Sequence, residues 1–159
     1  MTEPTQPPQE TPPTPSLGIN DLVRIMNESG LGIYFRQHAI KQLEERLRSR
    51  VLVFVANTRH PNALMHHGDA ALIETLLRRI GKSEKLALVL HSDGGVGEAS
   101  EKIIDLCRHY CEEWSVLVPM RAKSAATLLT FGADRIVMGF CSELALQRQL
   151  ALALLGGVA

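Results

Sequence analysis

The stretch from Lys85 to Gly139, KLALVLHSDGGVGEASEKIIDLCRHYCEEWSVLVPMRAKSAATLLTFGADRIVMG, constrains this chain more than any other. Apolar runs of strand length (Leu86–Leu90, Val116–Val118, Ile136–Met138) alternate there with helical patterns. That alternation predicts an α/β fold, a parallel sheet built from βαβ units. Two polar features interrupt it where strands end. His91-Ser92-Asp93-Gly94-Gly95 follows the first strand, and Arg121-Ala122-Lys123-Ser124-Ala125-Ala126 leads into a short helix. Functional groups of open parallel sheets gather beyond the carboxyl ends of the strands, so both features mark the candidate site.

The rest of the chain supplies elements for the same sheet. Residues 1–17 hold six of the eight prolines and predict a disordered, polyproline-like tail. Asn20 or Asp21 can cap a short helix that ends near Gly30. A longer helix is expected from about Phe35 to Ser49, with Ile40, Leu43 and Leu47 on one stripe and Glu44 paired to Arg48. The β-branched run Val51–Ala56 reads as a fully buried first strand. A loop over 57–68 then leads to a helix capped by Asp69, with Ala70, Ile73, Leu76, Leu77 and Ile80 facing the sheet and Gly81 as its stop.

The two polar features suit acyl-transfer chemistry. A serine hydroxyl needs a base to become a nucleophile, and the intermediate needs N–H donors aimed at the developing oxyanion. Glycines at 94 and 95 let backbone amides turn outward and let a substrate approach closely, because no Cβ stands in the way. Ser124 opens a helix, and the amides of Ala125 and Ala126 lie beside it. Taken singly, a serine there is an ordinary helix cap and Gly-Gly an ordinary turn.

Together with their flanks they carry a family resemblance. LHSDGG (Leu90–Gly95), VPMRAKSAATLL (Val118–Leu129), GADRIVMG (Gly132–Gly139) and SEL (Ser142–Leu144) resemble the Clp-protease-like superfamily of serine peptidases. The nearest branch is the serine dehydrogenase proteinases, relatives of signal peptide peptidase A. The resemblance covers roughly residues 20 to 144. It implies a spiral of βαβ turns of the Clp-protease and crotonase type, with residues 18–144 as a partial, C-terminally truncated domain. It also implies Ser124 as nucleophile, Gly94 and Gly95 on the oxyanion loop, and Ala125 as the amide that completes the hole. The activity implied is ATP-independent hydrolysis of peptides or unfolded proteins.

The chain departs from that family at three points. The superfamily draws its base from a Ser-His-Asp triad or a Ser-Lys dyad, placed after the nucleophile in many members. No His and no Lys follows Ser124, which leaves His91 and the adjacent Lys123 as accessory candidates. Asp93 stands where the family usually has proline. After Leu144 the family runs Gly-Pro-Ile-Asp-Pro-Gln, whereas residues 145–159 are Ala- and Leu-rich, as a frameshift or truncation would leave them. Little or no peptidase activity is therefore expected. The alternative reading is a catalytically silent member that keeps the fold for assembly or peptide binding.

Other signals narrow the class. Seventeen acids balance seventeen bases with no basic stripe, so nucleic acid is not an expected partner. Three cysteines (Cys107, Cys111, Cys141) without a signal-peptide pattern suggest reduced thiols in a cytoplasmic protein. No apolar run reaches the roughly 18–20 residues that span a bilayer, so membrane association has no support. His60, His66 and His67, with Asp69 nearby, form a loop cluster that reads as ordinary polar residues, and no metal or cofactor is expected. Cys107 and Cys111, four apart on a helix, read as buried apolar groups. Homo-oligomers are expected, because parallel-sheet spirals of this kind bury an apolar flank against copies of themselves.

Overall fold

A four-stranded parallel sheet organises the computed structural model, which describes Arg24 and residues 27–60 and 63–146. The expected tail over 1–17, the cap at Asn20 or Asp21 and most of residues 145–159 lie outside the described residues. The chain divides into two units, Met1–Ala39 and Ile40–Ala159, and the sheet belongs to the second. In chain order the elements are α1 (Leu31–Leu47), β1 (Arg50–Val55), α2 (His67–Ile80), β2 (Ser83–His91), α3 (Gly97–Tyr110), β3 (Cys111–Val118), β4 (Arg121–Lys123), α4 (Ala125–Phe131), β5 (Arg135–Met138) and β6 (Glu143–Ala145).

The α/β alternation read from the sequence is the alternation observed. The sheet order is β1-β2-β3-β5, every pair parallel, with Leu52 opposite Leu88 and Leu88 opposite Val116. Period-two geometry puts Leu86, Leu88 and Leu90 of β2 on one face with Trp114, Val116 and Val118 of β3. Onto that face pack Ala70, Ile73 and Leu77 of α2, Ala99, Ile103 and Cys107 of α3, and Ala126 and Leu129 of α4. These residues form one contiguous core. Leu88 sits at its centre, wholly buried, so Leu88→Ala should cost about 2–5 kcal/mol. Urea unfolding checks this, and a loss under about 1 kcal/mol would place the core elsewhere.

The opposite face is covered only in part: Val51 and Ala87 are buried there, and the exposure lies toward the end of β1. β1 is an edge strand, with Val53 43% and Val55 60% exposed, so the expectation of a fully buried first strand is corrected. A β-branched run reports strand propensity, but it does not report whether both faces are covered. A cleft of about 300 Å³ lies on this side, between Leu47, Lys85, Glu113, Leu117 and Arg135.

Local chemistry explains the other differences. α1 begins at Leu31 rather than Phe35 and stops at Leu47, where Arg48 turns left-handed at φ 49° and Ser49 N–H reaches back to Glu44 C=O (3.3 Å). That reversal takes Arg48 off the helix face. Glu44 instead contacts Arg50 at 3.4 Å and accepts the Val51 N–H at 3.1 Å. The cap of α2 is His66, not Asp69. The two form a capping box, in which His66 Nδ1 accepts the Asp69 N–H (3.3 Å) and Asp69 Oδ2 accepts the His66 N–H (2.8 Å). Leu76 is 43% exposed and does not face the sheet, whereas Gly81 stops the helix as expected, at φ 75°.

Candidate functional site

Two short parallel strands, β4 and β6, make a second small sheet with Arg121 opposite Glu143 and Lys123 opposite Ala145. Ser92, directly after β2, bridges to Ala122 of β4: Ser92 N–H donates to Arg121 C=O (3.2 Å) and Lys123 N–H to Ser92 C=O (3.0 Å). These few bonds bring the two polar features of the sequence side by side.

Ser124 is the hinge between β4 and α4. It sits at φ 51°, ψ −122°, a conformation that non-glycine residues avoid. Strained strand-to-helix turns of this kind lift a serine hydroxyl clear of the backbone, and such strain costs about 1–3 kcal/mol. The Ser124 N–H donates to Ala145 C=O at 2.7 Å, and the hydroxyl makes no capping bond to its helix. The side chain is half-buried. Because glycine takes this backbone freely, Ser124→Gly should be about 1 kcal/mol more stable than Ser124→Ala. Equal unfolding midpoints for the two variants would show that the turn carries no strain.

The glycine loop lies directly against this turn. Gly94 has φ +98°, and a Cβ built on it would collide with Lys123 C=O and stand 2.7 Å from Ser124 Cβ and 3.1 Å from Ala125 N. Gly95 has φ +150°, and its Cβ would strike the backbone of Met65. Met65 pairs with the loop from the other side, donating its N–H to Gly94 C=O (2.8 Å) and accepting the Val96 N–H (2.9 Å). Gly94 N–H is taken by Ser92 Oγ at 3.1 Å, with Ser92 wholly buried. The N–H groups of Gly95 and Ala125 have no acceptor among the described residues. The structure therefore brings Gly94, Ser124 and Ala125 together and leaves the amides of Gly95 and Ala125 uncommitted.

Neither accessory candidate is hydrogen-bonded to the serine among the described residues. His91 is the last residue of β2, not part of the loop. It lies three residues before Gly94, about 10 Å of extended chain, and its Nδ1 is shielded from solvent with no hydrogen-bond partner. Lys123 Nζ lies 3.6 Å from Glu143 Oε2.

The supports of the site are residues that sequence reasoning passed over. Ser100 of α3, wholly buried, donates to Ala125 C=O at 2.7 Å. Thr127 has one hydroxyl proton but stands 2.8 Å from Ala122 C=O and 2.9 Å from Ala145 C=O, so the two carbonyls share it. Asp134, in the GADRIVMG segment, accepts the Trp114 N–H at 2.8 Å and ties the start of β5 to β3. Asp93 and Arg121 form an ion pair across the site. None of these lies in a motif whose type announces a role, except that Asp93 interrupts the expected loop sequence.

The histidine cluster has other work, since His66 and Asp69 cap α2. Among the described residues no group of three or more His, Cys, Asp or Glu is placed to hold a metal ion. Burial pushes the Cys107 thiol up to about 12 and that of Cys111 up to about 11, which keeps both protonated at neutral pH. No described helix is long and apolar enough to cross a membrane.

No family model matches the chain. An uncharacterised protein of Methanocaldococcus jannaschii is 31% identical over 70 residues, which are 44% of this chain and 24% of that protein. Among solved structures, the chain is similar to a ClpP1 mutant of Listeria monocytogenes (TM-score 0.45, 18% identity, 58% of this chain covered). It is similar also to an enoyl-CoA hydratase/isomerase family protein of Silicibacter pomeroyi (TM-score 0.45, 20% identity, 60% covered). A third is a Pseudomonas malonate decarboxylase hetero-tetramer in complex with coenzyme A (TM-score 0.45, 13% identity, 70% covered). The chain spans about half of each of those three structures (52%, 49% and 53%) and about a quarter of the curated relative.

Proposed function

We propose that this chain carries a serine-peptidase-like acyl-transfer site of the Clp-protease type, nearest to the serine dehydrogenase proteinases. Ser124 is its nucleophile, and the amides of Gly95 and Ala125 are its oxyanion donors. The observation that carries the reading is the backbone of Ser124, held at φ 51°, ψ −122° between a strand and a helix with Gly94 packed against it. A protein maintains such strain at a serine where the placement of its hydroxyl is useful. The two uncommitted amides supply what a developing oxyanion needs. Gly94 stays on the loop, but its amide is already engaged by Ser92.

The class of substrate is a peptide or an unfolded protein. A fluorophosphonate probe tests the site directly, because its electrophilic phosphorus carries a good leaving group and asks less of a base than an amide does. Labelling mapped to Ser124 by peptide mass spectrometry, and lost in Ser124→Ala, is the expected result. Labelling elsewhere, or none at millimolar probe over hours, would remove the nucleophile assignment. It would then favour the silent scaffold, a reading that the lack of a base contact at Ser124 independently supports.

The partner we propose is a second copy of the chain, seated on the exposed part of the sheet face around Val53 and Val55. Light scattering at tens of micromolar should show a mass above one chain, lowered in Val53→Lys/Val55→Lys. A monomer throughout that range would count against it.

A further inference from the structure

Neither glycine of the loop can hold itself in place, since both lack side chains and sit at positive φ. On the β4 side, the side chain next to them is that of Asp93. Its carboxylate meets the Arg121 guanidinium side-on, with Oδ1 2.8 Å from Nε and Oδ2 3.0 Å from a terminal nitrogen. The terminal nitrogen donates to Oδ2, whereas Nε and Oδ1, both shielded from solvent, lie in ionic contact without a hydrogen bond between them and have no hydrogen-bond partner among the described residues. Arg121 C=O also accepts the Ser92 N–H at 3.2 Å, and Arg121 stands three residues before Ser124. One residue of β4 thus grips the loop by main chain and side chain, on the strand that delivers the serine.

We propose that Asp93 and Arg121 are positioning residues: their ion pair sets the distance between the Gly94–Gly95 loop and the Ser124 turn. This rests on the serine-site reading above. An oxyanion donor works only where the oxygen will be, and a misplacement of about 1 Å can lower a rate about 100-fold. The pair is one hydrogen bond from a terminal guanidinium nitrogen with Nε held in ionic contact beside it, a planar placement that lysine, as a point charge, cannot reproduce. It is one-third exposed, so salt reaches it (side chains 35% and 33% exposed).

The test is a double-mutant cycle on the rate of fluorophosphonate labelling at Ser124, with unfolding midpoints recorded in parallel. Asp93→Ala and Arg121→Ala should each slow labelling about 100-fold, and the double variant should be no slower than either single. Arg121→Lys should lose most of the rate while keeping the charge. Raising salt from about 0.05 to 1 M should slow the wild type and leave the double variant unchanged. A purely structural pair would lower the midpoint without this salt response. Additive losses, or unchanged rates in the single variants, would overturn the proposal.

If the wild type is not labelled, the nucleophile assignment falls, and the pair is judged by backbone exchange. Hydrogen exchange of the Gly94 amide, which Ser92 Oγ holds, followed by NMR, should quicken about tenfold or more in Asp93→Ala. Unchanged exchange there would overturn the positioning role independently of the chemistry.

Discussion

Gly94→Ala should lower the stability of this chain by about 3–5 kcal/mol and its thermal midpoint by roughly 10 °C. The new methyl group would enter the backbone of Lys123 and the β-carbon of Ser124, groups that cannot rotate out of the way. It would also be forced to φ +98°, where an L-residue is strained in open space as well. Gly97→Ala is the matched control. Gly97 starts α3, nothing lies within 4 Å of its added Cβ, and alanine is the better helix former, so that variant should be neutral or slightly more stable. Equal midpoints for the two variants would mean that the loop does not abut the serine turn. Retained probe labelling in a folded Gly94→Ala would say the same about the chemistry.

The second large effect is a deficit. Intact peptide bonds should be cut by this chain at a rate about 10²–10⁴-fold below that of a base-assisted serine peptidase. A well-held oxyanion hole alone leaves about 10³–10⁴ over water, too little to register against slow amide hydrolysis. The structural reason is the surroundings of Ser124: Lys123 is drawn toward Glu143, and His91 lies back along β2. An activated ester has a better leaving group and needs less help. Ser124-dependent ester hydrolysis should therefore rise with pH through about 9 without levelling near 7, where a histidine base would level it. Casein hydrolysis that disappears in Ser124→Ala would sink this expectation, as would a plateau near neutrality. Either result would direct attention to a base lent by a neighbouring copy.

How much of this was legible beforehand depends on how far each signal reaches along the chain. Leu86, Leu88 and Leu90 repeat with period two inside a longer apolar run, so β2 announces itself, and α3 shows its stripe of Ala99, Ile103 and Cys107. The two candidate motifs stand out only with their flanks, because Gly-Gly after a strand is by itself an ordinary turn and Ser before a helix an ordinary cap. The strands β4 and β6 were not visible. Three residues cannot show a period, and what defines them is pairing between positions some twenty residues apart. The α2 cap was misassigned because aspartate is the commoner cap by residue type. Here it serves at the third helical position, and histidine does the capping. Exposure of β1 was also unreadable, since coverage of a strand is a property of its neighbours. The Asp93–Arg121 contact joins residues 28 apart, and no local rule could have joined them.

The bonds that assemble the serine turn come chiefly from peptide groups: Met65 N–H and C=O, Gly94 C=O, Arg121 C=O, Lys123 N–H, Ala125 C=O and Ala145 C=O. Alanine scanning is nearly blind to such an assembly, since it trims side chains and leaves every one of those groups intact. Proline, which deletes an N–H, is the substitution that reads it. A backbone scan with proline at Met65 and Lys123 would map the site more faithfully than any survey of its side chains.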